Sequence, residues 1–103
     1  VDLDLQDGRV ARFGQDVKAC ALGQAAAALM AADIIGRSRT EVEAARDQLR
    51  AMLKQDGDPP GAPFHGYEVL EPARDYRNRH ASILLSLEAT ADAMQEAERA
   101  ACA

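Results

Sequence analysis

Apolar and acidic residues alternate at the start of the chain. Val1, Leu3 and Leu5 are separated by Asp2 and Asp4, the two-residue period of a half-buried strand. Gln6-Asp7-Gly8 follows, and Asp-Gly predicts a hairpin turn because Gly tolerates positive φ. Arg9–Phe13 then reads as the returning strand, and Gly14-Gln15-Asp16 breaks the pattern. From about Cys20 the period lengthens to that of a helix, with Leu22, Ala25, Ala26, Leu29 and Met30 on one face and Gly36 as its stop. Thr40 and Glu43 have the spacing of a capping box. The helix they open carries Val42, Ala45, Leu49, Met52 and Leu53 inward and ends near Gln55. Prolines make 57–63 a loop. Phe64–Leu70 predicts a short helix that ends before Pro72, and a last helix runs from about Asn78 to Glu98. Ile83, Leu84, Leu87, Ala91 and Met94 form its apolar stripe. Strands first and helices after predict an α+β fold, with a small antiparallel hairpin sheet at the N-terminus packed against C-terminal helices.

A length of 103 residues fits a single domain, 1–103, with a real core and little room for a second domain. Apolar residues make up 48%, much of it alanine, and Trp is absent, so closely packed helices with few large anchors are expected. The chain begins at Val1, already inside the strand pattern and without Met, which points to a missing upstream segment. A net charge of -5 argues against a nucleic-acid backbone as partner. No apolar run reaches the roughly 18 residues a membrane span needs, and no secretory signal is evident. Two distant cysteines make no disulfide framework, so a reducing cytoplasm is the expected location.

Cys20 is the most informative residue for chemistry. It lies between hairpin and helix, where unpaired helix N-terminal amides favour an anion. With Lys18 nearby, a thiolate forms more easily there than at an average site. That suits a metal ligand or a sulfur acceptor. A small buried hydrophobe is the competing reading, and position alone favours it. His80, at the start of the last helix, is a candidate ligand for iron or zinc, against an exposed helix-terminal histidine as the plainer alternative. His65 sits in a Gly- and Pro-rich loop and is weaker still. Arg74, Arg77 and Arg79 form a basic cluster that suits an anion or an acidic partner surface, or simply a solvated helix entry. Asp2 and Asp4 read as solubilising charges on an edge strand, and Cys102 as incidental. There is no CxxC pair, HExxH, Gly-rich phosphate loop or nucleophile elbow, and no triad spacing, so the chain is not expected to be an enzyme. A thiol enzyme pairing Cys20 with His80 lacks an orienting group.

Two strings and their order resemble the NifU/IscU/SufU family of iron–sulfur cluster assembly scaffolds, whose fold is also described as SufE/NifU-like. The first runs from Val10-Ala11-Arg12-Phe13-Gly14-Gln15-Asp16-Val17-Lys18-Ala19-Cys20 into the small-residue stretch Ala21–Met30. It is similar to the family's strand, Gly-containing turn and ligand cysteine before a helix. Ile35-Gly36-Arg37-Ser38-Arg39-Thr40-Glu41-Val42-Glu43-Ala44 is similar to the family's link between helices. The second string, Arg77-Asn78-Arg79-His80-Ala81-Ser82-Ile83-Leu84, resembles the segment that carries the last ligand cysteine. The resemblance covers nearly the whole chain. It implies a scaffold that binds iron or a nascent [2Fe–2S] cluster, with zinc an alternative metal, and that takes sulfur from a cysteine desulfurase and serves apo-protein acceptors.

On that resemblance Cys20 matches the middle cysteine, and the first cysteine with its aspartate falls before Val1. The third is replaced, by His80 in one register or by Ala81 in the other. Cluster iron is held mainly by thiolates, so this chain as it stands is expected to bind metal weakly or not at all. The alternative reading is an interaction module of the assembly machinery that binds no cluster, with Arg74, Arg77 and Arg79 as its surface.

Overall fold

The structure is a computed structural model and describes residues 1–102, with side chains described for 1–100. Strands β1 (Asp2–Gln6) and β2 (Arg9–Gly14) pair antiparallel, Leu3 opposite Phe13 and Leu5 opposite Val10. A bulge between Asp4 and Leu5 shifts the register. Asp7 and Gly8 adopt φ of 54° and 75°, the pair of positive angles that a two-residue hairpin turn with matching twist requires. Arg12 reaches across the ladder to Asp4 at 2.7 Å and to Asp2 at 3.2 Å. These acids therefore hold a cross-strand cation as well as facing solvent.

Three α-helices follow: α1 (Ala21–Asp33), α2 (Arg39–Lys54) and α3 (His80–Cys102). The turn after α1 contains Gly36 at φ 87° and closes back onto the hairpin. The Gly36 amide donates to the Val10 carbonyl at 2.7 Å, and the Val10 amide to Arg37 at 3.0 Å. The cap of α2 differs from the expected Thr40/Glu43 pair. Ser38 is the N-cap and Glu41 its reciprocal partner, with Ser38 N donating to Glu41 Oε1 at 3.1 Å and Glu41 N to Ser38 Oγ at 3.3 Å. Both pairs have the required spacing. The earlier one prevails where Arg9 and Arg37 also meet the Glu41 carboxylate, at 3.0 and 3.6 Å.

The segment between α2 and α3 also departs from expectation. It is a run of 3-10 turns, His65–Asp75, that continues through Pro72 instead of stopping before it. A short turn, Arg77–Arg79, then leads into α3. Loose 3-10 turns tolerate a missing amide better than an α-helix does. The helix α3 consequently begins at His80, later than about Asn78, and runs on beyond Glu98.

Helix α3 is the central element, packed against both α1 and α2. Its predicted stripe of Ile83, Leu84, Leu87, Ala91 and Met94 is buried, as is the predicted inner face of α2. Val10 is the strand residue that enters this core fully, with Leu3, Leu5 and Phe13 partly buried against it. Tyr67 is fully buried, and its hydroxyl donates to the Ala26 carbonyl at 3.1 Å, so the 3-10 run is pinned to α1. Near its N-terminus α1 comes very close to α3. A Cβ on Gly23 would lie 2.7 Å from Ala19 Cβ and 3.1 Å from the Ser82 carbonyl oxygen, so this position needs glycine. No helix is long and apolar enough to cross a membrane among the described residues.

Candidate functional site

Cys20 is the N-cap of α1, with extended backbone (φ -68°, ψ 174°) and a half-buried side chain. The helix starts here because Cys20 is still extended and the small residues after it, Gly23 above all, allow tight approach to α3. The Gln24 side chain fixes this entry by donating Nε2 to the Val17 carbonyl at 2.6 Å. The neutral thiol makes no capping hydrogen bond. Chiefly the Gly23 amide, helped by the Leu22 amide, the Ser82 hydroxyl and the Arg79 guanidinium, holds the thiol below its ordinary range, outweighing the opposing effect of partial burial. The cause is the expected one: unpaired amides at a helix start stabilise a thiolate. Lys18 makes no contribution of this kind. The same close contact at Gly23 brings Ser82, in the first turn of α3, to the sulfur.

The sulfur opens onto a shallow cleft of about 320 Å³ lined by Cys20, Ala21, Leu22, Tyr76 and Arg79. Tyr76 is 59% exposed and stands as an aromatic wall, while Arg79 supplies positive charge at the rim. A smaller hollow of about 160 Å³ adjoins it through Gly23 and Ser82, with Lys18 and Leu85 on its walls. There the Gln15 Oε1 and Ser86 Oγ atoms are buried without a hydrogen-bond partner.

His80 lies elsewhere. It is 5% exposed, and its Nε2 sits 3.2 Å from the Ala73 carbonyl oxygen and 3.1 Å from that of Arg74. Carbonyl oxygens only accept, so Nε2 is the donor to both. The ring therefore ties the end of the 3-10 run to the start of α3. It lines a separate cleft of about 610 Å³ with Lys54, Asp56, Arg74, Asp75 and Arg77. Cys20 and His80 are not brought to one cleft. Among the described residues no group of three or more His, Cys, Asp or Glu side chains is placed to hold a metal ion. His65 lines none of these three clefts, and the Cys102 side chain lies outside the described residues.

The arginine cluster divides. Arg74 approaches Asp56 at 3.5 Å and Glu71 at 3.8 Å, Arg77 faces the His80 cleft, and Arg79 faces Cys20. Ser82, Tyr76 and Gly23 were not singled out by sequence. A lone glycine inside a helical pattern was the available signal for Gly23. Nothing local marks Ser82 or Tyr76, which reach the thiol only through the packing of α3 on α1.

Among solved structures, the crystal structure of a nitrogen-fixing NifU-like protein (N-terminal) from Brucella abortus is similar to this chain. Identity is 45% over 94% of this chain and 67% of that one, with a TM-score of 0.91. No family model matches. No curated protein matches significantly.

Proposed function

Because the chain belongs to the NifU-like N-terminal family, we propose that it works in iron–sulfur cluster assembly and that Cys20 is its sulfur-accepting thiolate. The observation that carries this reading is the setting of Cys20. Its sulfur faces the Gly23 amide, the Ser82 hydroxyl and Arg79, and it opens onto a solvent cleft. A single thiolate is enough for the step. The Cys20 thiolate attacks the outer sulfur of a donor persulfide, a Cys20 S–S bond forms, and the donor S–S bond breaks as its thiolate leaves. Arg79 and the Gly23 amide stabilise the anion before attack and the persulfide anion after it.

Iron is cargo in this reading. Cys20 supplies one ligand, and the described residues do not complete a set around it. His80 is less suited to the second ligand than its position in the sequence suggests, because it lines a different cleft from the one onto which Cys20 opens. Of the two registers, the one that puts Ala81 in the place of the family's third cysteine fits better. Ala81 is exposed at the start of α3, between Arg79 and Ser82, which both act on the Cys20 sulfur.

A second reading is favoured by that same alanine: an interaction module of the assembly machinery that carries no cluster. Incubation with a cysteine desulfurase and sulfur-labelled cysteine separates the two. The first reading expects label on the chain that a thiol reductant releases and that Cys20→Ala abolishes. A complex with the desulfurase that never acquires label would overturn sulfur acceptance and leave the module. Zinc or iron binding is read in parallel by anaerobic titration, where Ala81→Cys is expected to tighten binding.

A further inference from the structure

Most of the free positive charge of this acidic chain is gathered at one end. Of its 12 lysines and arginines, seven lie 3.8 Å or less from a carboxylate among the described residues. Four of the remaining five, Lys18, Lys54, Arg77 and Arg79, are exposed, have no carboxylate partner among the described residues, and line the three clefts that ring the start of α3. Arg74 adds a fifth cation to these walls, against three carboxylates, Asp16, Asp56 and Asp75. The ring is therefore net positive on a chain of net charge -5. Unpaired cations have no ion pair of their own to break before meeting a complementary surface, and they steer encounter.

We propose that this ring is the docking surface for an acidic protein segment, one that presents a row of Asp or Glu side chains across the mouth of the Cys20 cleft. The proposal rests on where the charges lie and holds whether or not Cys20 carries sulfur. It revises the partner surface read from sequence: Arg77 and Arg79 stay, Arg74 is held by Asp56 and Glu71, and Lys18 and Lys54 join from distant parts of the chain. A protein segment fits better than a nucleic acid. The four free cations form one local patch on a chain of net charge -5, and a long phosphate backbone crossing that patch would run on over acidic surface.

The test is a titration of the full chain with a synthetic Glu-rich peptide, followed by backbone amide NMR shifts at low and at physiological salt. The expected result is shifts clustered at residues 18, 54 and 76–80, weakened by salt. Charge reversal in a Lys54→Glu/Arg77→Glu variant should weaken binding at least 10-fold. Arg99→Glu is the control: Arg99 is the fifth cation without a carboxylate partner among the described residues, roughly 28 Å along α3 from the ring at a 1.5 Å rise per residue. It should leave binding unchanged. Equal loss in the control, shifts scattered over the surface, or tighter binding to a DNA oligonucleotide of matched charge would each overturn the proposal. Sulfur labelling of the Lys54→Glu/Arg77→Glu variant by a small-molecule persulfide, which needs no docking, keeps this outcome separate from the fate of Cys20.

Discussion

At the scale of single residues, Cys20 illustrates how a backbone creates chemistry that a side-chain inventory misses. Its thiol is acidified first by the Gly23 amide and only last by the charge of Arg79. Alkylation rate against pH should therefore show a midpoint below the ordinary cysteine value of about 8.5. Arg79→Ala should move it up by less than half of the total shift; recovery of the full ordinary value in that variant would assign the effect to charge instead. The sign for stability follows from the lowered value. The thiolate contribution is present above the unfolded pKa and is lost as pH falls through the folded one. Substituting Cys20 by Ser should thus cost more stability at mildly alkaline pH than at pH 6, measured by urea unfolding. The position of Cys20 was legible in sequence because a helical period begins just after it. Its surroundings were not, since Ser82 arrives from 62 positions further along and only through tertiary packing.

Among the elements, local signals succeeded where one period dominated and failed where two candidates competed. The hairpin was readable from Val1 to Phe13, because alternation and Asp7-Gly8 agree. The α2 cap was misplaced by two residues, because Ser38 and Thr40 both precede a glutamate at the right spacing and only the tertiary neighbours Arg9 and Arg37 decide between them. Ser38→Ala should accordingly cost about 0.5–2 kcal/mol, whereas Thr40→Ala, at an exposed first-turn position, should stay within about 0.5 kcal/mol. Denaturant midpoints with unchanged slopes would check both. The Glu41 carboxyl is held below its usual range, first by the Ser38 amide. Its contribution is present above about pH 4.3 and fades as pH falls through the lowered folded value. The stability gap between wild type and Glu41→Gln should shrink over that acid window. The 3-10 run through Pro72 was not legible, since proline announces the end of an α-helix and says little about a chain of looser turns.

Over the whole molecule, the core is ordinary and the site depends on one contact within it. Leu87, fully buried on α3, should cost about 2–5 kcal/mol when truncated to Ala. Gly23→Ala has the more informative outcome. Its new methyl must displace Ala19 or Ser82, at about 1–3 kcal/mol, and with them the groups that acidify Cys20. Thermal unfolding and Cys20 alkylation should therefore fall together in that variant, whereas Leu87→Ala should lower stability and leave the reactivity of the folded protein unchanged. The packing of α1 on α3 is thus both part of the fold and the device that prepares the thiol. The most direct test of this account is mass spectrometry of the reduced protein after brief exposure to a small-molecule persulfide at neutral pH, with Cys102 as the reference within the same chain. The account predicts that the peptide containing Cys20 gains one sulfur atom well before the peptide containing Cys102. Equal or slower labelling of Cys20 would contradict it.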